Sequence, residues 1–118
     1  MKILKIGVVG PCSSGKSTLI AGLNRHGFWG KHIAQEHSFV ADMWSRLAQP
    51  DVLIYLDVSY PIAQQRRKLD WSEADYQEQV HRLRHARRHA DYYLNTDPLS
   101  PQQVLDRVIA FLESFANQ

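Results

Sequence analysis

Nine consecutive residues, Gly10-Pro11-Cys12-Ser13-Ser14-Gly15-Lys16-Ser17-Thr18, constrain this chain more than anything else in it. They follow the spacing G-x-x-x-x-G-K-[ST] and sit between two recognisable elements. Before them, residues 3–9 form a mostly apolar, β-branched run of the kind that makes a buried parallel strand. After them, residues 17–25 place Leu19, Ile20 and Leu23 on one helical stripe. In that context the chemistry is mainly backbone geometry. Successive loop N–H groups turn toward an anion, and the helix directs its positive end at the same point. Gly10 and Gly15 permit backbone approaches that a side chain would obstruct. Lys16 is expected to bridge the β- and γ-phosphates of a nucleotide, and the Ser17 hydroxyl to take a magnesium position. The whole loop, including Pro11, Cys12, Ser13, Ser14 and Thr18, is the expected cradle. Cys12 reads as a loop side chain without a redox role.

The same alternation continues downstream. Residues 31–35 read as a short second strand, and Ser38 as the cap of a helix over 40–47 that Pro50 closes. Residues 52–57 are the strongest strand signal. Ser59 and Pro61 open a helix through Lys68, and 72–89 reads as one longer helix with Tyr76, Val80, Leu83 and Ala90 on one side. Residues 92–94 make a fourth strand. Ser100-Pro101-Gln102-Gln103 is a capping-box start for a last helix carrying Val104, Val108, Ile109, Leu112 and Phe115 at helical spacing. The expectation is one three-layer α/β/α P-loop domain over 1–118, with four parallel strands and a lid-like helical region at about 61–90.

Composition narrows the classes. A 118-residue chain that is 44% apolar suits one core and leaves no room for a second domain. Its apolar runs are far short of a membrane span, and Met1-Lys2 does not begin a signal peptide. Fourteen basic against 12 acidic residues give a net charge of +2, too balanced to suggest nucleic acid or an anionic membrane as partner. The single Cys12 excludes an internal disulfide and a cysteine zinc site, and fits a cytoplasmic location.

Beyond the loop, Pro50-Asp51-Val52-Leu53-Ile54-Tyr55-Leu56-Asp57-Val58 is followed by a segment carrying Arg66 and Arg67, and Asn95-Thr96-Asp97-Pro98-Leu99-Ser100-Pro101 precedes the last helix. With the loop, these resemble the P-loop nucleoside and nucleotide kinases, thymidylate kinase-like and shikimate kinase-like proteins included. The resemblance implies ATP and Mg2+ as cofactors, and an adenine bracketed near Asp97 and Pro98. Neither N-K-x-D nor D-x-x-G occurs, which argues against a Ras-type GTPase.

Two departures bear on function. Such kinases usually insert an acceptor-binding helical region after the first helix, whereas only a turn separates Arg25 from Ile33 here. Where the thymidylate kinase-like pattern has D-R-[YHS], this chain has Glu36-His37-Ser38. The alignment implies that Glu36 holds a magnesium-bound water or acts as general base; a solvated strand-end residue is the plain alternative. Asp57, ending an apolar run as a Walker B aspartate does, competes for the metal and ranks second. His37 replaces an arginine that would grip an acceptor phosphate, which argues against a nucleoside monophosphate acceptor. Glu36 can reach the phosphates only if its strand lies beside the first, so the expected order is 2-1-3-4.

Seven of the 14 Lys and Arg residues fall between Arg66 and Arg88, against four acidic ones. In the resembling kinases a lid in this region carries arginines that neutralise charge on the transferred group, which implies catalytic roles for Arg66, Arg84 and Arg88. A solvated helix face, with Glu78 near Arg82, is the alternative. His81, His85 and His89 recur every fourth residue, yet one helix face does not surround a metal, so surface or packing histidines are expected. Trp29, Trp44 and Trp71 read as packing residues, although Trp71 stands where it could cover a base. The expected function is a small kinase-like phosphotransferase acting on an unidentified small-molecule acceptor, with a partner subunit of a homo-oligomer able to supply acceptor contacts. A nucleotide-sensing module with little turnover is the alternative, and a nucleic-acid-associated ATPase ranks third.

Overall fold

The two most apolar strands have no polar alternation, so both of their faces must be covered. A computed structural model, which describes residues 3–68 and 70–117, shows how this is met. Strands β1 (Lys5–Val9), β2 (Trp29–His32), β3 (Val52–Asp57) and β4 (Tyr92–Asn95) form one parallel sheet in the order β2-β1-β3-β4. The helices are α1 (Lys16–Arg25), α2 (Tyr60–Arg66), α3 (Glu73–Arg82), α4 (Arg84–His89) and α5 (Pro101–Ala116). Among the described residues no helix is long and apolar enough to cross a membrane.

Alternation along β3 sorts the two cores. Val52, Ile54 and Leu56 join Leu19 and Leu23 of α1 and Val104, Leu105, Val108 and Leu112 of α5 on one face. Leu53 and Tyr55 meet Leu83 and Ala86 on the other. Each such side chain contributes about 1.5–3 kcal/mol when removed from water. Helix α5 begins as its sequence suggests: the Ser100 hydroxyl accepts the Gln103 N–H, the Gln103 side chain returns to Ser100 N–H, and Pro101 occupies the first turn.

Three expectations change. The second strand lies at Trp29–His32 rather than 31–35, because the chain reverses straight out of α1, where Asn24 Oδ1 accepts the Gly30 N–H at 3.0 Å. Gln35 then leaves the sheet in a 3-10 turn, Gln35–His37, and its buried amide donates to Val40 O and Arg82 O and accepts from Trp44 N–H. That network also alters the expected helix over 40–47. Trp44 N–H is taken by a side chain instead of the carbonyl four residues back, and the helix is reduced and shifted to a short π-helix, Trp44–Ala48. Ser38 closes a local turn with Val40 N–H rather than capping a helix. Finally, the single helix read over 72–89 is two, α3 and α4, meeting at Leu83. Leu83 is fully buried, and the break lets it and Ala86 fill the second core together.

Candidate functional site

The connection from β1 to α1 is tightly shaped by its backbone, and its helix start is not closed by a side chain of the described residues. Gly10 has no room for a side chain, since a Cβ there would penetrate the Leu56 carbonyl oxygen. Ser13 (φ 67°) and Gly15 (φ 97°) are left-handed, which curls the loop. Helix α1 starts at Lys16 with no side-chain cap among the described residues and no acidic residue in its first turn. Leu19 N–H is the first to reach a helical carbonyl, that of Gly15 at 3.0 Å, so the N–H groups ahead of it lack intrahelical acceptors.

Lys16 folds back over this loop. Its Nζ donates to Gly10 O at 2.7 Å and Pro11 O at 3.0 Å, and lies 2.9 Å from Glu36 Oε2. Both side chains are deeply buried, 7% and 3% exposed. Glu36 arrives there on the 3-10 turn after β2, which the strand order sets beside β1. Three buried polar atoms have no hydrogen-bond partner among the described residues in this region: Glu36 Oε1, Ser13 Oγ and Ser14 Oγ. Unsatisfied buried groups are costly, about 1–3 kcal/mol each, and are expected where a ligand or ion completes them.

A cleft of about 540 Å³ opens over the loop. Its lining combines residues 12–18, His32, Glu36, His37, Arg66, Arg67 and Thr96 with the apolar Leu19, Leu99, Pro101 and Val104. That size falls within the range of small-molecule sites. Arg66 straps the two sides: its guanidinium donates to Ser13 O at 3.1 Å, to Thr96 Oγ1 at 2.9 Å and to Thr96 O at 2.6 Å. Thr96 in turn donates to Asp57 O.

Of the residues singled out by sequence, Lys16, Ser17, Glu36 and Arg66 share the cleft with the loop. Asp57 stands outside it. Its carboxylate accepts Val58 N–H and the Tyr93 hydroxyl, which ties it to β4. Asp97 is also diverted, accepting Ser59 N–H at 2.9 Å, so Thr96 and Leu99 line the cleft where Asp97 and Pro98 were expected. Arg84 and Arg88 belong to α4, which packs on the second face of the sheet through Ala86; Arg84 donates to His81 O within its own segment, and neither lines the cleft. The regular histidines do not line the cleft: His85 Nδ1 accepts the Trp44 indole N–H and its ring lies tilted 4.4 Å from that of His89, while His81 is exposed. Trp71 packs against Tyr60 and Tyr76 instead of covering the cleft.

Two contributors had no signal in the sequence reading. Gln79, on α3, holds Cys12 from both sides: its Oε1 accepts Cys12 N–H at 3.0 Å and its Nε2 donates to Cys12 Sγ at 3.2 Å. A glutamine in mid-helix carries no pattern that distinguishes it from surface filler. Thr96 lay inside the segment that was noted, but only its contacts with Arg66 and Asp57 reveal its part. No protein-family model matches the chain, and neither does any curated protein.

Proposed function

We propose that the chain is an ATP-binding, kinase-like phosphotransferase that acts on a small-molecule acceptor. The observation that carries this reading is the buried Lys16–Glu36 pair at an uncapped helix start, with Glu36 Oε1 and two serine hydroxyls lacking partners beside it. The donor set fits a polyphosphate with a hard divalent cation. Backbone N–H groups and Lys16 match phosphate oxygens, while the Ser17 hydroxyl and the Glu36 carboxylate match magnesium, directly or through water. When bound, magnesium-ATP supplies the phosphoryl group to be transferred. Lys16, now held by the Gly10 and Pro11 carbonyls, would hold the phosphates, and Arg66 ties the loop to Thr96. The apolar lining residues Leu99, Pro101 and Val104 suit the flat face of a base.

A nucleotide-sensing module is the second reading. It is favoured by the placement of Arg84 and Arg88 away from the cleft, which leaves Arg66 and Arg67 as the cleft arginines, and by the short connection from α1 to β2. The test is calorimetric titration with a non-hydrolysable ATP analogue and magnesium, with Lys16→Ala in parallel. A charged hydrogen bond is worth about 1.5–3 kcal/mol, so affinity should fall at least about tenfold. Equal affinity in the variant would count against the whole assignment. Phosphate transfer to a panel of sugars, nucleosides and small acids then separates the kinase from the module, which would bind ATP without consuming it.

A further inference from the structure

At the lip of the cleft, three side chains of different chemistry point one donor each at a common space. Cys12 Sγ lies 4.0 Å from His37 Nε2, and His37 Nε2 lies 3.9 Å from Glu36 Oε2. Sulfur, imidazole nitrogen and a carboxylate oxygen all fall within 4.8 Å of one another. We propose that Cys12, Glu36 and His37 form a binding site for a thiophilic divalent ion of the zinc class, distinct in its sulfur and imidazole donors from a nucleotide's magnesium although Glu36 is common to both. This corrects the expectation that a single cysteine excludes a cysteine zinc site, because a histidine and a carboxylate supply the other donors.

Four observations carry this inference. First, the separation of sulfur from imidazole nitrogen is close to that of a tetrahedral site. Bonds of about 2.3 Å to sulfur and 2.0 Å to nitrogen put those two donors about 3.5 Å apart, so a shift of about half an ångström closes the pair. Second, the movable partner is the one free to move: the His37 side chain is 59% exposed, whereas the Glu36 side chain is 3% exposed. Third, Gln79 fixes the sulfur, clamping Cys12 by its N–H and donating to Sγ, the kind of outer contact that orients and stabilises a metal-bound thiolate. Fourth, Glu36 Oε1 is buried without a partner among the described residues, so the carboxylate retains coordinating capacity even while Oε2 faces Lys16.

Three protein donors leave a fourth position open, here toward the cleft, as in zinc sites that also take water or a substrate oxygen. Binding displaces the Cys12 thiol proton to solvent, since the thiolate is the ligand. Sulfur and imidazole favour zinc-class ions over magnesium, which prefers oxygen donors and keeps its waters. The inference does not depend on nucleotide binding, and its test omits nucleotide.

Untagged protein is titrated with Co2+ as a spectroscopic substitute. The expected result is a near-ultraviolet sulfur-to-cobalt charge-transfer band with visible bands of four-coordinate intensity, at one equivalent. The charge-transfer band should vanish in Cys12→Ser, affinity should fall at least about tenfold in His37→Ala, and a large excess of Mg2+ should leave the bands in place. Should Cys12→Ser not fold, alkylation of Cys12 supplies the second measurement. One equivalent of Zn2+ should slow it in the unsubstituted protein and have little effect in His37→Ala. An absent sulfur band, bands unchanged by His37→Ala, or displacement by Mg2+ overturns the proposal.

Discussion

Helices α1 and α5 pack side by side on the same face of the sheet, yet they begin in opposite ways. The start of α5 satisfies itself, with Ser100 and Gln103 capping each other and Pro101 filling the first turn. The start of α1 has no side-chain cap, a left-handed Gly15 preceding it and a left-handed Ser13 two residues earlier. Partnerless serine hydroxyls and a buried ion pair stand nearby. Both helices bury leucines against β1 and β3, so packing does not explain the difference. What differs is the destination of the first-turn N–H groups. At α5 they are answered from within the chain, and at α1 they face a cleft. A helix start left unsatisfied where a capping box was chemically available is a local loss of stability, and the proposed phosphate ligand is what would recover it.

Four experiments press on that contrast. The largest effect is expected for Gly10→Ala, because the added methyl meets the Leu56 carbonyl and the sheet and loop must separate to admit it. Urea unfolding should show a loss of at least about 5 kcal/mol; a near-neutral result would mean that the loop is not held in one shape. Next is Lys16→Met, which leaves the buried Glu36 carboxylate without its ammonium partner. Breaking a buried pair costs about 3–5 kcal/mol, and the double variant Lys16→Met with Glu36→Gln should recover most of it. Without that recovery, the pair is not the source of the loss.

Smaller effects separate the two helix starts directly. Ser100→Ala should cost about 1 kcal/mol of stability and leave ATP-analogue affinity unchanged. Ser14→Ala should do the reverse, since it removes a buried hydroxyl with no partner among the described residues. A gain of up to about 1 kcal/mol in the free protein accompanied by weaker binding is the expected pattern. Matching responses from the two serines would erase the distinction between the helix starts.

The smallest effect lies away from both helices, at Tyr93. Burial, then its hydrogen bond to the Asp57 carboxylate, pushes this hydroxyl from an ordinary value of 10 up to about 12. The folded state therefore holds the proton more tightly than the unfolded one. The stabilisation is complete below pH 10 and is lost as pH rises from 10 to about 12. Alkaline unfolding curves should show a shallower decline in Tyr93→Phe. An unchanged slope would detach Tyr93 from Asp57, reopening that carboxylate as a cleft ligand.

Much of the architecture was legible because it rests on short-range rules. A buried strand signal, a capping box and the glycine spacing each act within a few residues, and β1, β3 and α5 follow them closely. The expected order 2-1-3-4 came from a functional requirement placed on Glu36, and the sheet has that order. Misreadings occurred where one buried side chain reorganised its surroundings. Gln35 takes the Trp44 N–H, and the helix expected over 40–47 is reduced to a π-helix at Trp44–Ala48. Leu83, needed in the second core, divides the segment expected to be one helix.

The candidate site divides in the same way. The spacing of Gly10, Gly15 and Lys16 alone specified the curled loop and the helix that follows it, because backbone geometry there depends on adjacent residues. That Glu36 meets Lys16, that Asp57 turns to Tyr93, and that Gln79 presents the sulfur of Cys12 to His37 were decided only by folding. The physical reason is distance along the chain. Local conformation follows from neighbouring residues, whereas ion pairs and convergent donors arise when strand order and helix packing bring remote side chains within about 3–4 Å.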